Sequence, residues 1–295
     1  MLHSKDMASM DFPIRALATE EFPPLLNEIP DPPKQLYLRG TLPVEAHKCL
    51  AVVGSRNYTN YGKQVVDHLI GGLRGYPLSI ISGLALGIDG LAHAAALDAG
   101  LHTLAVPGSG IDDSVLYPRR HRSLASRILD SGGGLLSEFE PTFAATAWSF
   151  PARNRIMAGL AHAVLVIEAT ERSGTLITAR LTSEYNRELL IVPGSIFSEN
   201  TKGSHQFLKL GATPVTTPQD ILFSLGIEPE QVQADARSLS TVEQKILEVL
   251  SEPKERDALI RELKMDTHEA SVLLMQMELK GYILENGSEI RKAII

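Results

Sequence analysis

Leu50-Ala51-Val52-Val53-Gly54-Ser55-Arg56 sets a run of apolar residues against a glycine, a hydroxyl and an arginine, and its reading decides the fold. An amphipathic stretch from Tyr61 to Gly72 follows, then a second apolar run, Leu78 to Ser82, which again stops at a glycine, Gly83. Apolar runs without polar alternation suit strands covered on both faces, and the amphipathic stretch between them suits a crossover helix. Outward from this unit the rhythm repeats. Strands are expected at His102 to Val106, Leu135 to Ser137, Ala163 to Glu168, Leu189 to Val192 and Thr213 to Val215. Helices are expected at Gly87 to Ala99, Arg119 to Ser131, Asn154 to Ala161, Thr175 to Asn186, Ser204 to Leu210 and Pro218 to Leu225. Strand alternating with helix implies a doubly wound α/β domain with a parallel sheet, here over residues 36–226.

The two ends read differently. Residues 1–35 are rich in proline (Pro13, Pro23, Pro24, Pro30, Pro32, Pro33) and lack periodicity, which suits an extended lead-in and no independent domain. Residues 227–240 are polar and strandless, as in a linker. In residues 241–295, three short helices are expected at Thr241 to Leu250, Asp257 to Leu263 and Thr267 to Leu279. A hairpin is expected at Gly281 to Ile290 around Asn286-Gly287. Three helices and a hairpin are the winged-helix plan.

The chain has 295 residues, 44% apolar and 21% charged, which fits one large globular domain or two unequal ones. No apolar run reaches the ~18 residues of a membrane helix, and Met1 to Glu21 mixes acids with hydrophobics, so a cytoplasmic protein with no membrane partner is expected. The single cysteine, Cys49, excludes an internal disulfide and a thiolate zinc cluster. A net charge of −7 argues at first sight against nucleic acid. The charge is unevenly placed, however: residues 36–226 carry 16 basic and 15 acidic side chains, whereas residues 1–35 carry 3 and 6 and residues 241–295 carry 8 and 11. The acid sits at the ends.

Ligands of an open parallel sheet bind beyond the carboxyl ends of its strands, where turns expose backbone N–H groups and helix N-termini. Four strand ends here carry Gly54-Ser55-Arg56, Ser82-Gly83, Pro107-Gly108-Ser109-Gly110 and Arg172-Ser173-Gly174-Thr175. A lone glycine after a strand is explained by the tight turn it permits. Four such ends together supply what an anion needs: close backbone approach, hydroxyl donors and a forked guanidinium. Arg153-Asn154-Arg155 after Phe150-Pro151 reads as a clamp on a phosphodiester at a helix mouth, with a solvated helix start as its plain explanation. Lys202 and the knot Arg119-Arg120-His121-Arg122 add cations. His93 reads as a buried, hydrogen-bonded histidine and Asp89 as a first-turn carboxylate. No G-x-x-x-x-G-K-[ST] and no complete dinucleotide fingerprint is present. No catalytic triplet, cofactor motif or metal spacing stands out, so the site is expected to hold phosphates without breaking bonds.

These motifs resemble, in order and spacing, the bacterial DNA-processing protein A family, DprA or Smf. The resemblance rests on Val53-Gly54-Ser55-Arg56, Ser82 through Asp89 with Ala92-His93, Tyr117-Pro118, Ser137-Glu138, Phe150-Pro151 with Arg153-Asn154-Arg155, Ser173-Gly174-Thr175 with Thr178-Ala179, Val192-Pro193-Gly194 and Gly211-Ala212. It runs from about Leu36 to Leu225 and implies an extended Rossmann-like domain that binds and protects single-stranded DNA without catalysis. It also implies a homodimer that helps load the RecA recombinase in natural transformation or recombination. The family's phosphate turn falls on Gly54, Ser55 and Arg56, and its other contact segments on Arg153 to Arg155 and Ser173 to Thr175. The tail resembles the family's optional winged-helix extension. Many members carry a sterile-alpha-motif-like domain ahead of the Rossmann part, where this chain has about 35 residues. His205 stands where the family often has asparagine.

Two other functions compete. Phosphoribohydrolases that release cytokinin-type bases have a related sheet and a Gly-Thr phosphate turn, which Arg172 to Thr178 resembles; their catalytic glutamate, three residues after the threonine, is replaced here by Thr178. A transcription regulator acting through the winged helix is disfavoured by charge, since Thr267 to Lys280 sets Glu269 and Glu278 against Lys280 and His268. Base stacking in the main reading falls to Tyr58, Tyr117 or Phe150.

Overall fold

The structure, a computed structural model, describes residues 12–228, 240–250, 252–263, 265–279, 282–286 and 289–292. The chain divides into two compact units, residues 1–228 and 229–295.

The first unit begins with β1 (Arg15–Ala16), α1 (Pro24–Asn27) and β2 (Tyr37–Gly40). The repeating part then runs β3 (Lys48–Val53), α2 (Asn60–Gly71), β4 (Leu78–Ser82), α3 (Ile88–Asp98), β5 (His102–Ala105), α4 (Arg122–Asp130) and β6 (Gly134–Ser137). It continues with α5 (Ser149–Leu160), β7 (Ala163–Val166), α6 (Thr175–Glu184), β8 (Glu188–Ile191), α7 (Glu199–Lys209), β9 (Thr213–Pro214) and α8 (Pro218–Ser224). The strands form one sheet in the order β1-β2-β6-β5-β4-β3-β7-β8-β9. β2 pairs antiparallel with both β1 and β6, and the remaining pairs are parallel. This is a mostly parallel, Rossmann-like sheet. The chain winds outward from β3 to β6, then returns to β7 on the other side of β3, so the strand order reverses between β3 and β7.

Alternate residues of a strand face opposite layers. Ala51 and Val53 of β3 join Val164, Val166 and Ile191 in one apolar layer, while Leu50 and Val52 join Leu165, Leu190 and Val192 in the other. Both faces being covered is why these strands read as unbroken apolar runs. Residues 12–35 are no lead-in to a domain starting at 36. Leu17, Phe22, Leu26 and Ile29 are buried in the first layer, and β1 extends the sheet beside β2. The prolines interrupt any period there without preventing these side chains from packing.

The second unit consists of α9 (Thr241–Val249), β10 (Lys254–Glu255), α10 (Arg256–Leu263), α11 (Thr267–Leu279), β11 (Ile283–Asn286) and β12 (Glu289–Lys292), with sheet order β10-β12-β11. Ser240 starts α9 with a capping box: its Oγ accepts from Glu243 N at 3.2 Å and its N–H donates to Glu243 Oε2 at 2.6 Å. Ile246, Leu259, Leu274, Ile283 and Ile290 form its core. This is a winged-helix domain, with β10 an addition that two residues of sequence could not announce. Most of the expected linker, residues 229–239, lies outside the described residues, as does Gly287 of the expected turn.

Candidate nucleic-acid interface

The strand-order reversal places a crevice beyond the carboxyl ends of β3 and β7, whose last residues, Val53 and Val166, are register partners. A cleft of about 610 Å³ opens there. Gly54, Ser55 and Arg56 line it as β3 turns toward α2, and Ser173, Gly174 and Thr175 line it as the chain enters α6. Thr175 Oγ1 donates to the Gly54 carbonyl at 3.1 Å and ties the two turns together. The first turn is also pressed against the start of α3, where Ile88 N donates to the Ser55 carbonyl at 3.1 Å. Gly87, at φ 91°, makes that approach possible; a Cβ there would stand 2.6 Å from Arg56 Cα.

Arg56 is exposed, with its Cζ 5.3 Å from the centre of the Phe150 ring. Tyr117 lies against the same ring at 5.7 Å between centroids. The cleft therefore offers an exposed cation and an aromatic face side by side, a combination suited to a phosphate and its base. Of the aromatics expected to stack, Phe150 lines the cleft, and Tyr117 shares with Arg56, Gly83 and Phe150 a recess of about 30 Å³. Tyr58 lines neither.

The Arg-Asn-Arg segment behaves unlike a clamp. α5 starts at Ser149 instead of Asn154, with Pro151 in the first turn, where a missing N–H costs nothing. Arg153 and Arg155 are thus helical and point about 200° apart. Arg155 turns away to Glu138 and to Asp31, the latter at 3.4 Å. Arg153 turns inward, 4% exposed, and its Nη1 donates to the Gly83 carbonyl at 2.5 Å and to that of Val106. Its Nε donates to Asn154 Oδ1 at 3.2 Å, while Asn154 Nδ2 reaches the Gly174 carbonyl at 3.4 Å. Asp89 stands in the first turn of α3 as expected, and it is buried beside this group, where it accepts from Gly83 N at 3.1 Å. Burial lowers the Arg153 pKa to about 10 against the pull of Asp89, so the guanidinium stays protonated at neutral pH. Burial raises the Asp89 pKa, with Arg153 the leading opposing charge. Through their bonds to Gly83 and Val106, Asp89 and Arg153 join β4, β5, α3 and α5 at the floor of the cleft.

The other expected residues fall into three places. Ser82 is buried within the sheet, its Oγ donating to the Val52 carbonyl at 2.6 Å, and Gly83 meets only the small recess. Gly108 lies under Phe150, where a Cβ would come 2.5 Å from the ring, so this glycine makes room for the aromatic. Lys202 pairs with Glu199 at 2.5 Å, and His205 is half-buried on α7 without lining the cleft. In the basic knot, His121 bonds the Leu84 carbonyl through Nδ1 at 2.8 Å and Arg122 the Ser114 carbonyl at 3.1 Å, leaving Arg119 and Arg120 exposed after Tyr117-Pro118. His93 is buried as expected, with Nδ1 2.7 Å from Thr103 Oγ1 and a pKa lowered by burial to about 3.

Several lining residues are not among the expected contacts, although Thr178 is a motif residue and the replacement of a glutamate. Asn57, Thr170, Thr178 and Asn200 add amides and hydroxyls, and Met157 and Ile177 add apolar wall. Thr178 stands one helical turn from Thr175, a spacing that puts both on one face of α6. Asn200 comes from the first turn of α7, far along the chain, and nothing local in the sequence marks it.

A family model described as DNA recombination-mediator protein A matches residues 14–226, and one described as the DprA winged helix domain matches residues 228–286. The chain is 42% identical over 207 residues to Protein Smf of Escherichia coli, covering 70% of this chain but only 55% of that protein. It is 41% identical over 211 residues to DNA processing protein DprA of Streptococcus pneumoniae, covering 72% and 73%. Among solved structures, DNA processing protein A from Streptococcus pneumoniae superposes with a TM-score of 0.67 at 38% identity, over 75% of this chain and 76% of that one. DNA processing protein A from Helicobacter pylori, a structure concerned with that protein's single-stranded DNA binding mode, gives 0.65 at 29% identity, over 72% and 96%.

Proposed function

The chain belongs to the DNA recombination-mediator protein A family, and from that premise we propose that its strand-end cleft binds single-stranded DNA without cleaving it. One observation carries the reading: two Gly-hydroxyl turns from opposite sides of the sheet's reversal point are tied at one edge, beside an exposed arginine resting on an aromatic ring. Backbone amides and hydroxyls at Gly54, Ser55, Ser173 and Gly174 receive phosphate oxygens, Thr175 holds the two turns together, Arg56 neutralises the phosphate charge, and Phe150 offers a base its face.

The lining favours holding over cutting. Asp89 is its carboxylate and is buried, bonded to Gly83 N and offset by the nearby Arg153 charge, and Thr178 occupies the place of the phosphoribohydrolase glutamate. Arg153 and Ser82 act in this reading as supports beneath the cleft, and Arg155 lies outside it.

At the level of the cell, the protein protects an incoming single strand and delivers it to RecA during natural transformation or recombination, in the cytoplasm. The family's description as a recombination mediator supports this step. The working form is a homodimer. Leu189 to Val192, Ile221 and Leu222 are spent in the protein's own core, so its contact falls to exposed Leu210 and Phe223 near the β9 edge of the sheet. Competition between unlabelled single-stranded and duplex DNA for a labelled oligothymidine tests the reading: the single strand should displace the probe at far lower concentration, and equal displacement would refute it.

A further inference from the structure

A second cavity, of about 530 Å³, lies on the same sheet edge as the cleft. The two share a wall. Asn57 and Asn200 line the cleft, Thr59 two residues after the first and Ser198 two residues before the second line the cavity, and Asn200 Nδ2 donates to the Asn57 carbonyl at 2.9 Å between them.

Their chemistry is opposite. The cleft has Arg56, whereas the lining of the cavity contains no cation and includes the Glu168 carboxylate, 1% exposed. That carboxylate accepts from Thr59 N at 2.9 Å and Thr59 Oγ1 at 2.5 Å. A phosphate would be repelled there. Tyr61 forms one wall, its hydroxyl fixed to the Pro193 carbonyl at 2.6 Å, and Ser195 and Ser198 add hydroxyls. Flat apolar walls, neutral hydrogen-bonding groups and a carboxylate suit an uncharged aromatic ring bearing N–H donors.

The loop beyond Pro193 carries Ile196 and Phe197 into solvent, with Phe197 89% exposed. The loop is pinned: the Ser195 carbonyl accepts from Ser198 N at 3.0 Å and from Thr201 Oγ1 at 2.6 Å. Phe197 is therefore held out by a fixed turn, next to a cavity that wants a ring and one short segment from a cleft that wants a phosphate.

We propose that the cavity between Tyr61 and the 193–198 loop, with Phe197 at its rim, is a nucleobase subsite. It takes the unpaired base of the nucleotide next to the one whose phosphate rests on Gly54 to Arg56, and Phe197 stacks on that base. The proposal rests on single-strand binding in the cleft.

Fluorescence anisotropy with a short fluorescein-labelled oligothymidine, and quenching of 2-aminopurine placed within the same oligonucleotide, test it. Phe197→Ala should bind roughly five- to tenfold more weakly, as loss of one stacking contact implies. Its salt dependence should be unchanged, because no charge is lost, and 2-aminopurine quenching should drop. Phe197→Tyr should restore both. Phe197 is solvent-exposed, so the fold survives either change. Unaltered affinity and quenching in Phe197→Ala, with wild-type binding intact, would overturn the subsite and leave the cleft reading standing. A change in sedimentation coefficient with unaltered DNA affinity would overturn it in favour of a protein contact. Failure of the wild-type chain to bind the oligonucleotide would overturn both readings.

Discussion

Arg153 Nη1 donates to the carbonyl of Gly83 at 2.5 Å, so the guanidinium expected to clamp a phosphate lies at the floor of the cleft and is spent on the backbone. Since Gly83 N in turn donates to Asp89, the two residues are links in a buried chain that fixes the end of β4 against α3 and α5.

Removing the guanidinium should therefore cost stability before it costs charge contacts. Arg153→Ala removes the leading charge that opposes burial of Asp89 and takes a donor from the Gly83 and Val106 carbonyls, and urea denaturation should show a clearly lower midpoint. Salt dependence of DNA binding by the folded fraction should match wild type. An unaltered unfolding midpoint together with a salt slope shallower by roughly 0.7 would identify a direct phosphate contact instead.

His93 should make stability depend on pH. Its folded pKa of about 3 lies below the unfolded 6.5, so the unfolded chain binds the extra proton between these values. The stability that neutral His93 contributes is complete above about pH 6.5 and is lost as pH falls toward 3, at up to about 1.4 kcal/mol per pH unit. Urea titrations between about pH 6 and 4.5 should show a slope flatter by about one proton in His93→Gln. The same slope in both proteins would place this proton elsewhere.

Exposed Leu210 and Phe223 should make self-association sensitive to charge. Light scattering on the wild type should exceed the 32.1 kDa of one chain, and Leu210→Asp with Phe223→Asp should return it to that mass. A wild-type mass of one chain, with and without DNA, would refute the homodimer.

The winged-helix unit should be dispensable for holding the strand. On α11 the exposed side chains include Val272, Met275, Glu269 and Glu278, a poor match for phosphates. Deleting residues 229–295 should leave single-strand affinity unchanged or slightly tighter, with the largest gain at low salt where an acidic module repels DNA most. Loss of most of the affinity in a truncated chain that keeps its circular dichroism would show that the unit contacts DNA.

What the sequence disclosed follows from what burial writes into it. β3, β4 and β7 are covered on both faces and read as apolar runs, and the glycine turns after β3 and β7 line the cleft, whereas that after β4 meets only the recess beside it. β1 and β2 sit at the sheet margin as two and four residues with a charge in each, so no run marked them. Arg153 and Arg155 looked alike because a charge pair does not declare which face of a helix it occupies; the true start of α5, five residues before the expected one, turns them apart. Asn200 and Phe197 were silent because their meaning comes from where the α7 loop folds back onto Asn57.

The most direct test of the central claim is the salt dependence of single-strand binding by the wild type and Arg56→Ala. Arg56 lines the cleft, and Arg119, Arg120 and Arg172 are exposed cations in segments adjoining its lining or the recess beside it, so log affinity should fall with log salt at a slope near −3. Arg56→Ala should bind every sequence more weakly, with a slope shallower by roughly 0.7. A wild-type slope near zero, or an Arg56→Ala protein that binds as the wild type does, would contradict the assignment of the cleft as the phosphate-binding site.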